Sequence, residues 1–269
     1  MRRRQNSGTR HEAHSSGGRK EKIYMYGKHA LVEALAHAPH AVRKVFLSAQ
    51  ADDAELRGLL KRANIVPGAL KGGAMDRMVG RDTAHQGVIA VIDPGALMID
   101  FKQFMASPAI ARPTAETMLV LLDELTDPHN VGAIIRSAAA FGAAGVLIPP
   151  HNQAPVTGTV VKTSAGMAFR VPLVAIGNVN QAVDALATLG FRSYGLEMNG
   201  TTDLADEPFA APSLIIVGNE GEGIRQKTLE RCDVRLRIPM DARAESLNAS
   251  VSAGVVLYAW SARHGGALS

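Results

Sequence analysis

The sequence has very little cysteine and no long apolar run. Cys232 is the single cysteine in 269 residues, which excludes an internal disulfide framework and a metal site built on several thiolates. No apolar stretch approaches the about 20 residues that a bilayer-spanning helix needs. The basic N-terminus is not followed by the apolar segment of a secretory signal. These absences predict a soluble protein of the reducing cytoplasm, with no membrane as partner.

Histidine is present, but its spacing does not suit a metal. His85, His129 and the histidines near the N-terminus lack a second His, Cys or carboxylate at the spacing of metal ligands. We therefore predict no metal site.

The net charge of +4 is concentrated at the N-terminus. Residues 1–22 hold seven of the 29 basic and two of the 25 acidic side chains, so the rest of the chain is almost neutral. Because this segment is also rich in Ser, Gly and His and lacks apolar periodicity, we predict a disordered basic tail. Such a tail attracts polyanions, nucleic acid above all. The alternative is a solubilising terminus without a defined partner.

Helical and strand patterns alternate along residues 23–99, which predicts a small α/β domain. The predicted elements are a helix at Gly27–His37, a strand at Val42–Leu47, a helix capped by Asp52 or Asp53 and ending near Ala63, and a strand at Gln86–Ile92 closed by a turn at 93–95. Residues 100–115 show no clear periodicity and are predicted to be a linker.

Residues 116–264 repeat the alternation on a larger scale, so we predict an α/β domain with a parallel sheet and helices on both faces. The predicted strands are Met118–Leu122, Gly145–Ile148, Val171–Ala175, Phe191–Leu196, Leu214–Val217 and Val234–Ile238. A helix from about Pro128 to Phe141, stopped by Gly142, follows the first strand.

Three loops follow predicted strands of this sheet, at residues 127–136, 218–223 and 239–248. Ligands of such sheets bind off the carboxyl ends of the strands, so these loops are the candidate site. The glycines of 218–223 do not make G-x-G-x-x-G or a P-loop, which argues against a nicotinamide-dependent oxidoreductase. Glu220 and Glu222 suit a cationic or hydroxyl-bearing ligand better than a pyrophosphate. One interpretation of the glycines is a tight turn whose amides are free for a ligand. The alternative is a glycine-rich turn that caps a helix starting near Ile224.

The last loop leads into a helix whose first turn either Ser246 or Asn248 can cap. Leu247, Val251, Val255 and Tyr258 recur at helical spacing, and small residues lie between them. Taken alone, this stretch is typical of tight helix packing.

Together the three loops carry linked motifs. They are N-x-G-x-x-x-R (Asn130, Gly132, Arg136), G-N-E-G-x-G (residues 218–223) and I-P-M followed by S-L-N (residues 238–240 and 246–248). They resemble the motifs of the SpoU (TrmH-type) RNA ribose 2′-O-methyltransferases. Residues 26–35 and 85–88 resemble the small substrate-binding domain, related to a ribosomal protein, of the branch that methylates a guanosine of 23S rRNA.

This resemblance implies a fold with a deep trefoil knot, S-adenosylmethionine as cofactor, RNA rather than DNA as partner, and a homodimer built on the last helix. The implied catalytic positions are Arg136, Asn130, Glu220, Ser246 and Asn248. The implied cofactor positions are Gly218, Ile238, Leu247 and Met240. A tRNA substrate, or a non-catalytic RNA-binding assembly factor on the same fold, are the alternatives.

The role of Arg136 has two interpretations. As a base it is physically awkward, because a guanidinium normally keeps its charge. We favour a cation that binds the phosphate beside the target ribose and stabilises the developing alkoxide, with Glu220 orienting it. Its alternative is a surface arginine paired with Glu220 or Asp123. Trp260 fits either the dimer face of the last helix or the buried core.

Overall fold

The computed structural model describes residues 22–70 and 86–268. The predicted basic tail, apart from Lys22, lies outside these residues, as does His85.

The smaller domain is built on a four-stranded sheet with the order β1-β4-β2-β3. Its strands are β1 (Ile23–Tyr26), β2 (Val42–Leu47), β3 (Gly68–Ala69) and β4 (Val88–Ile92), and its helices are α1 (Lys28–His37) and α2 (Ala54–Arg62). The central strand β4 is antiparallel to both neighbours, and all five of its residues are buried. The predicted helices and the strand at 42–47 are confirmed, and β1 is an element that the sequence pattern did not reveal.

Side-chain caps explain where two helices of this domain begin. Of the two candidates for α2, Asp53 is the cap, because its Oδ1 accepts a hydrogen bond from the backbone N–H of Leu56 at 3.0 Å. The predicted turn at 93–95 instead opens a short helix, α3 (Pro94–Leu97). Asp93 caps α3, and Pro94 supplies a pre-set helical φ.

The larger domain contains an eight-stranded sheet in which every pair is parallel, with the order β10-β12-β9-β11-β6-β7-β8-β5. Its strands are β5 (Met98–Asp100), β6 (Met118–Asp123), β7 (Gly145–Ile148), β8 (Leu173–Ala175), β9 (Arg192–Leu196), β10 (Thr202–Asp203), β11 (Ser213–Gly218) and β12 (Val234–Arg237). Its helices are α4 (Phe101–Met105), α5 (Pro108–Ala111), α6 (Pro128–Ala140), α7 (Gly158–Thr163), α8 (Val179–Ala187), α9 (Gln226–Leu229) and α10 (Ala249–Ser261). Two apolar clusters cover opposite faces, as a parallel sheet requires. The predicted parallel α/β architecture is confirmed, with strand ends shifted by one or two residues.

Residues 98–111 have more regular structure than their sequence pattern indicates. Strand β5 pairs with β8 at the edge of the larger sheet, and the two short helices after it bury Phe104 and Ile110 in that sheet's core. Elements of three to five residues are too short to show a period, so this packing was not visible in the sequence. The segment that we predict as a linker is thus packed onto the larger sheet.

The last helix, α10, turns a different face to the core than helical spacing suggests. Ala253, Val256 and Trp260 are completely buried, whereas Val251 and Tyr258 of the predicted stripe are 50% and 62% exposed. The helix is apolar on nearly every side, so periodicity alone could not choose between its faces. Trp260 is a core residue, and its indole N–H donates to Ser213 Oγ at 3.2 Å. Across the described ranges 22–70 and 86–268, no helix has both the length and the apolar character needed to cross a bilayer.

Candidate active site

Helix α6 carries the first predicted motif and starts at the carboxyl end of β6. Asp127 Oδ1 accepts a hydrogen bond from the backbone N–H of His129 at 2.8 Å, and Pro128 occupies the first helical position. A Cβ at Gly132 would lie 2.7 Å from Thr163 Cβ and 2.9 Å from the carbonyl oxygen of Val160. The motif requires glycine here because α7 packs directly on the backbone of α6.

Asn130 joins the three predicted loops through its side-chain amide. Its Nδ2 donates to Glu220 Oε1 at 2.6 Å, and its Oδ1 accepts from Asn248 Nδ2 at 3.0 Å. Asn130 is 8% exposed, so both ends of its amide are satisfied within the protein. The sequence prediction that these side chains converge is confirmed for Asn130, Glu220 and Asn248.

Asn248 is also the cap of α10, which decides between the two candidates Ser246 and Asn248. Its Oδ1 accepts from the backbone N–H groups of Ser250 at 2.9 Å and Val251 at 3.4 Å. One side chain therefore uses its oxygen to begin the last helix and its NH₂ group to hold Asn130.

The glycine-rich loop 218–223 is a tight turn, as one of the two interpretations predicts. Asn219 and Gly223 exchange two backbone hydrogen bonds, and a Cβ at Gly218 would overlap the backbone at Gly223. The N–H groups of Gly221 and Glu222 both donate to Asn219 Oδ1. The expectation that these amides are free for a ligand is wrong for these two residues.

An ion pair with a buried carboxylate fixes this turn to the end of β6. Asp123 is fully buried, and its carboxylate accepts from the backbone N–H of Arg225 at 3.1 Å and from the Nε of Arg225 at 2.9 Å. Arg225 also reaches Glu124, whose carbonyl oxygen accepts from Asn219 Nδ2 at 2.8 Å. We did not predict Arg225, although a carboxylate ending a wholly apolar strand signals the need for a cationic partner.

Arg136 lies six residues beyond Asn130 and is exposed. Its two predicted partners are occupied elsewhere, since Glu220 bonds to Asn130 and Asp123 bonds to Arg225. Within the described residues Arg136 forms no ion pair, so its guanidinium is available to an external anion. The predicted contact between Glu220 and Arg136 is not formed.

A cavity of about 360 Å³ opens at the carboxyl ends of β9, β11 and β12. Six of the nine predicted site residues line it, namely Gly218, Glu220, Ile238, Met240, Ser246 and Leu247. Asn130, Asn248 and Arg136 are not part of the lining. Asn130 is hydrogen-bonded to Glu220, and Asn248 to Asn130. The volume of the cavity is within the usual range of small-molecule sites.

The lining of this cavity is apolar and acidic. It includes Glu197, Glu220, Glu222 and Glu245, and no Lys, Arg or His of the described chain is part of it. Arg235 lies 4.0 Å from Glu197 but outside the lining, so the carboxylates that face the cavity favour a ligand with positive charge and hydroxyl groups over a phosphate. The aliphatic side chains of Leu196, Ile238 and Leu247 offer a surface for a flat apolar group.

The loop after β9 is a part of the cavity that the sequence interpretation missed. Glu197, Met198 and Asn199 all line it. We predicted the strand at 191–196 but did not treat its loop as a candidate. The rule that ligands bind off the carboxyl ends of parallel strands, applied to every strand, would have found it.

The loop before α10 is exposed and internally paired. Ser246 and Leu247 face the cavity from it, while Asp241 pairs with Arg243 at 2.8 Å farther out. The side chain of Arg243, and to a smaller extent its backbone N–H, hold the pKa of the Asp241 carboxyl below its usual value.

Among residues 22–70 and 86–268, no group of three or more His, Cys, Asp or Glu side chains is placed to hold a metal ion.

Two sequence families match the chain. The SpoU rRNA Methylase family matches residues 117–258, and the family described as RNA 2′-O ribose methyltransferase substrate binding matches residues 24–97. Together they cover every strand of both sheets except β5, apart from the first residue of β1, and they include every predicted site residue.

Similar proteins extend over most of the chain. The 23S rRNA (guanosine-2′-O-)-methyltransferase RlmB of Pseudomonas syringae is 34% identical over 241 residues, which are 88% of this chain and 94% of that protein. An uncharacterized tRNA/rRNA methyltransferase of Mycobacterium bovis is 38% identical and covers 87% of this chain and 72% of its own. The crystal structure of the SpoU methyltransferase AviRb of Streptomyces viridochromogenes in complex with AdoMet has a TM-score of 0.72 at 26% identity and 90% coverage of each chain.

Replacing Asn248 separates its two roles. We expect Asn248→Ser, which keeps an oxygen at the cap but removes the donor to Asn130 Oδ1, to lower the free energy of unfolding by about 1–3 kcal/mol, the usual cost of leaving a buried acceptor unsatisfied. Asn248→Ala also removes the cap of α10, so it should lower that free energy by about 1 kcal/mol more than Asn248→Ser does. Urea unfolding followed by circular dichroism measures both, and equal losses in the two variants would show that the cap does not provide the stability.

Proposed function

Because this chain belongs to the SpoU rRNA methylase family, we propose that it transfers a methyl group from S-adenosylmethionine to a ribose 2′-hydroxyl of RNA. The observation that carries the proposal is the Glu220–Asn130–Asn248 chain of hydrogen bonds beside an acidic cavity, formed by the three family motifs. A guanosine of 23S rRNA is the proposed target, supported by the relative from Pseudomonas syringae. With rRNA as the proposed substrate, the proposed location of the protein is the cytoplasm.

The cavity fits the proposed cofactor. S-adenosylmethionine supplies a methyl group on a positively charged sulfonium when bound, and it also has an ammonium group, an adenine and a ribose. We assign the adenine to the apolar side chains of Ile238, Met240 and Leu247, with backbone contacts at Gly218, Ile238 and Leu247. The carboxylates of the lining suit the cationic groups and the ribose hydroxyls.

The catalytic side chains divide into a fixed set and a free cation. Asn130, Glu220 and Asn248 are held to one another, which places them before any substrate arrives. Ser246 is exposed beside them and offers a hydroxyl to the incoming nucleotide. Arg136 is exposed and unpaired among the described residues, as expected of a side chain that binds the phosphate next to the target ribose and stabilises negative charge developing on the 2′-oxygen.

The path of the last segment supports the proposed trefoil knot. After β12 the chain passes the ends of β9 and β11 and places α10 against α6, where Asn248 bonds to Asn130. A Cβ at Gly200 would lie 2.6 Å from the carbonyl oxygen of Arg235, so the loop after β9 presses on β12 as well. Mechanical extension from both termini measures the knot, because a tightened knot leaves the chain shorter than an unknotted one of the same length.

The smaller domain is the proposed RNA-binding module, with a fold related to a ribosomal protein. Its match to the substrate-binding family supports this assignment. A separate RNA-binding module suits a structured target recognised by its shape, which favours rRNA over tRNA. Neither a membrane nor DNA enters the proposal.

An exposed apolar stripe on α10 supports a homodimer. Val251, Val255 and Tyr258 are 50%, 37% and 62% exposed, and the ring of Tyr258 meets Phe141 edge-on at 5.9 Å. A contiguous exposed apolar face is typical of a protein–protein contact.

We expect light scattering to give twice the mass of 28.4 kDa at micromolar concentration. Tyr258→Glu should dissociate the dimer because it places a charge in the apolar contact. The matched control is Val66→Glu, at a position that is 90% exposed on the smaller domain, and it should remain dimeric. A wild-type protein of monomer mass would contradict the proposal.

Methyl transfer to purified 23S rRNA and to tRNA tests the activity and the substrate together. Transfer to tRNA alone would support the alternative substrate. Binding of RNA without transfer, and without heat on titration with S-adenosylmethionine, would support a non-catalytic assembly factor instead.

Variants of Arg136 distinguish a cation from a base. Arg136→Lys keeps the charge but loses the planar fork, so single-turnover methylation should fall but stay measurable. Arg136→Ala should fall further, by about a hundredfold to a thousandfold from wild type, the usual effect of one transition-state interaction. A lysine variant that overtakes the wild type near pH 10, where lysine ordinarily loses its proton, would show that the residue acts as a base.

A further inference from the structure

Helix α7 separates the smaller domain from the catalytic helix α6 and touches both. On one side it packs against Gly132 of α6, as described above. On the other side a Cβ at Gly158, the first residue of α7, would overlap the carbonyl oxygen of Tyr24 in β1. Glycine at both contacts lets α7 pack closely against the backbone of β1 and against that of α6, so neither contact leaves room for an added side chain.

An ion pair with two bonds closes the same junction beside α7. Arg170 of the larger domain donates from Nε to Glu33 Oε2 at 2.6 Å and from Nη2 to Glu33 Oε1 at 3.0 Å. Glu33 lies on α1 of the smaller domain, and its side chain is only 8% exposed. Paired, parallel bonds of this kind fix orientation as well as distance.

The packing around this pair leaves it little freedom. Gly166 has a positive φ, and a Cβ there would lie 3.0 Å from both the Cβ and the Cγ of Glu33. Lys162 of α7 reaches back over the ring of Tyr26 in β1, with its Nζ 5.1 Å from the ring centroid. The junction is therefore held by backbone contact, by a charge pair and by a cation–π contact.

We propose that the Glu33–Arg170 pair and the glycine contacts of α7 are positioning elements that set the smaller domain at a fixed distance from Arg136. This inference rests on the proposed function. An RNA bound by the smaller domain then has its target ribose already positioned close to α6. This orientation accounts for part of the rate enhancement. Neither Glu33 nor Gly158 touches the cofactor cavity, so their effect is confined to RNA.

Two variants loosen the junction in independent ways. Glu33→Gln removes the negative charge of the pair. It leaves Arg170 and every other cationic side chain in place, so direct electrostatic contacts with RNA are not lost. Gly158→Ala pushes a methyl group against the carbonyl of Tyr24. We expect each to lower kcat/KM for a folded 23S rRNA fragment by about tenfold or more, because small misplacement of reacting groups is costly in rate. The affinity for S-adenosylmethionine should not change.

Each variant has a matched control. Asp52→Asn breaks the Arg57–Asp52 pair, which lies entirely within the smaller domain. Gly177→Ala adds a methyl group where no atom lies within 4 Å. Both controls should keep the wild-type kcat/KM for the rRNA fragment.

The distance between the domains is a second readout that does not depend on activity. Spin labels on cysteines introduced at the exposed positions Val66 and Glu230, with Cys232 replaced by alanine, report the distance distribution across the junction. We expect a narrow distribution in the otherwise wild-type protein and a broader or shifted one in Glu33→Gln and Gly158→Ala.

Wild-type kcat/KM in both junction variants would overturn the inference, as would an equal loss in the matched controls or a parallel loss of cofactor affinity. If the wild-type protein methylates no RNA, the proposed function fails. In that case an unchanged distance distribution in both variants would still overturn the junction as the element that fixes the domains.

Discussion

The amide of Asn130 is the constraint on which the rest of the site depends. An amide has one end that donates and one that accepts, and here each end is bonded to a different loop. Because the group is nearly buried, the loss of either partner would leave a polar atom unsatisfied, so the loops of Glu220 and Asn248 must arrive together. The cap of the last helix, the turn at 218–223 and the cavity between them all follow from this requirement.

The site separates its charges in space. Carboxylates line the cavity, whereas Arg136 lies on the exposed side of α6, outside the lining. A cationic ligand and a polyanion are therefore drawn to neighbouring but different places.

Much of the fold was predictable because its strands are long, apolar and bounded by clear turns. Strand β6 and helix α6 show this, since a wholly apolar run is followed by Asp, Pro and a helical period ended by glycine. The edge strands β5 and β10 were missed because two or three residues carry no period. The buried face of α10 could not be predicted, because the sequence of a helix that is apolar on all sides does not indicate which side is covered.

The candidate site was predictable from the motifs as a set of residues but not as a set of contacts. Sequence order placed Asn130, Glu220 and Asn248 at strand ends, which is enough to bring them to one edge of the sheet. Which of them would bond depends on side-chain competition. Glu220 bonds to Asn130 rather than to Arg136, and Asp123 bonds to Arg225, a cation 102 residues away that no local pattern connects to it.

The two bonds of Asn130 join residues that are 90 and 118 positions apart in the chain. Closing such long loops costs conformational entropy, which is offset only after the contacts have formed. Native pairings of this kind therefore form late in folding. The sheet from β5 to β9 precedes Glu220 in the chain, whereas Asn248, the cap of α10, follows it. A nascent chain therefore contains most strands of the larger sheet before it contains all three residues of this chain of hydrogen bonds. The chemistry of the site cannot begin until Asn248 has been synthesised.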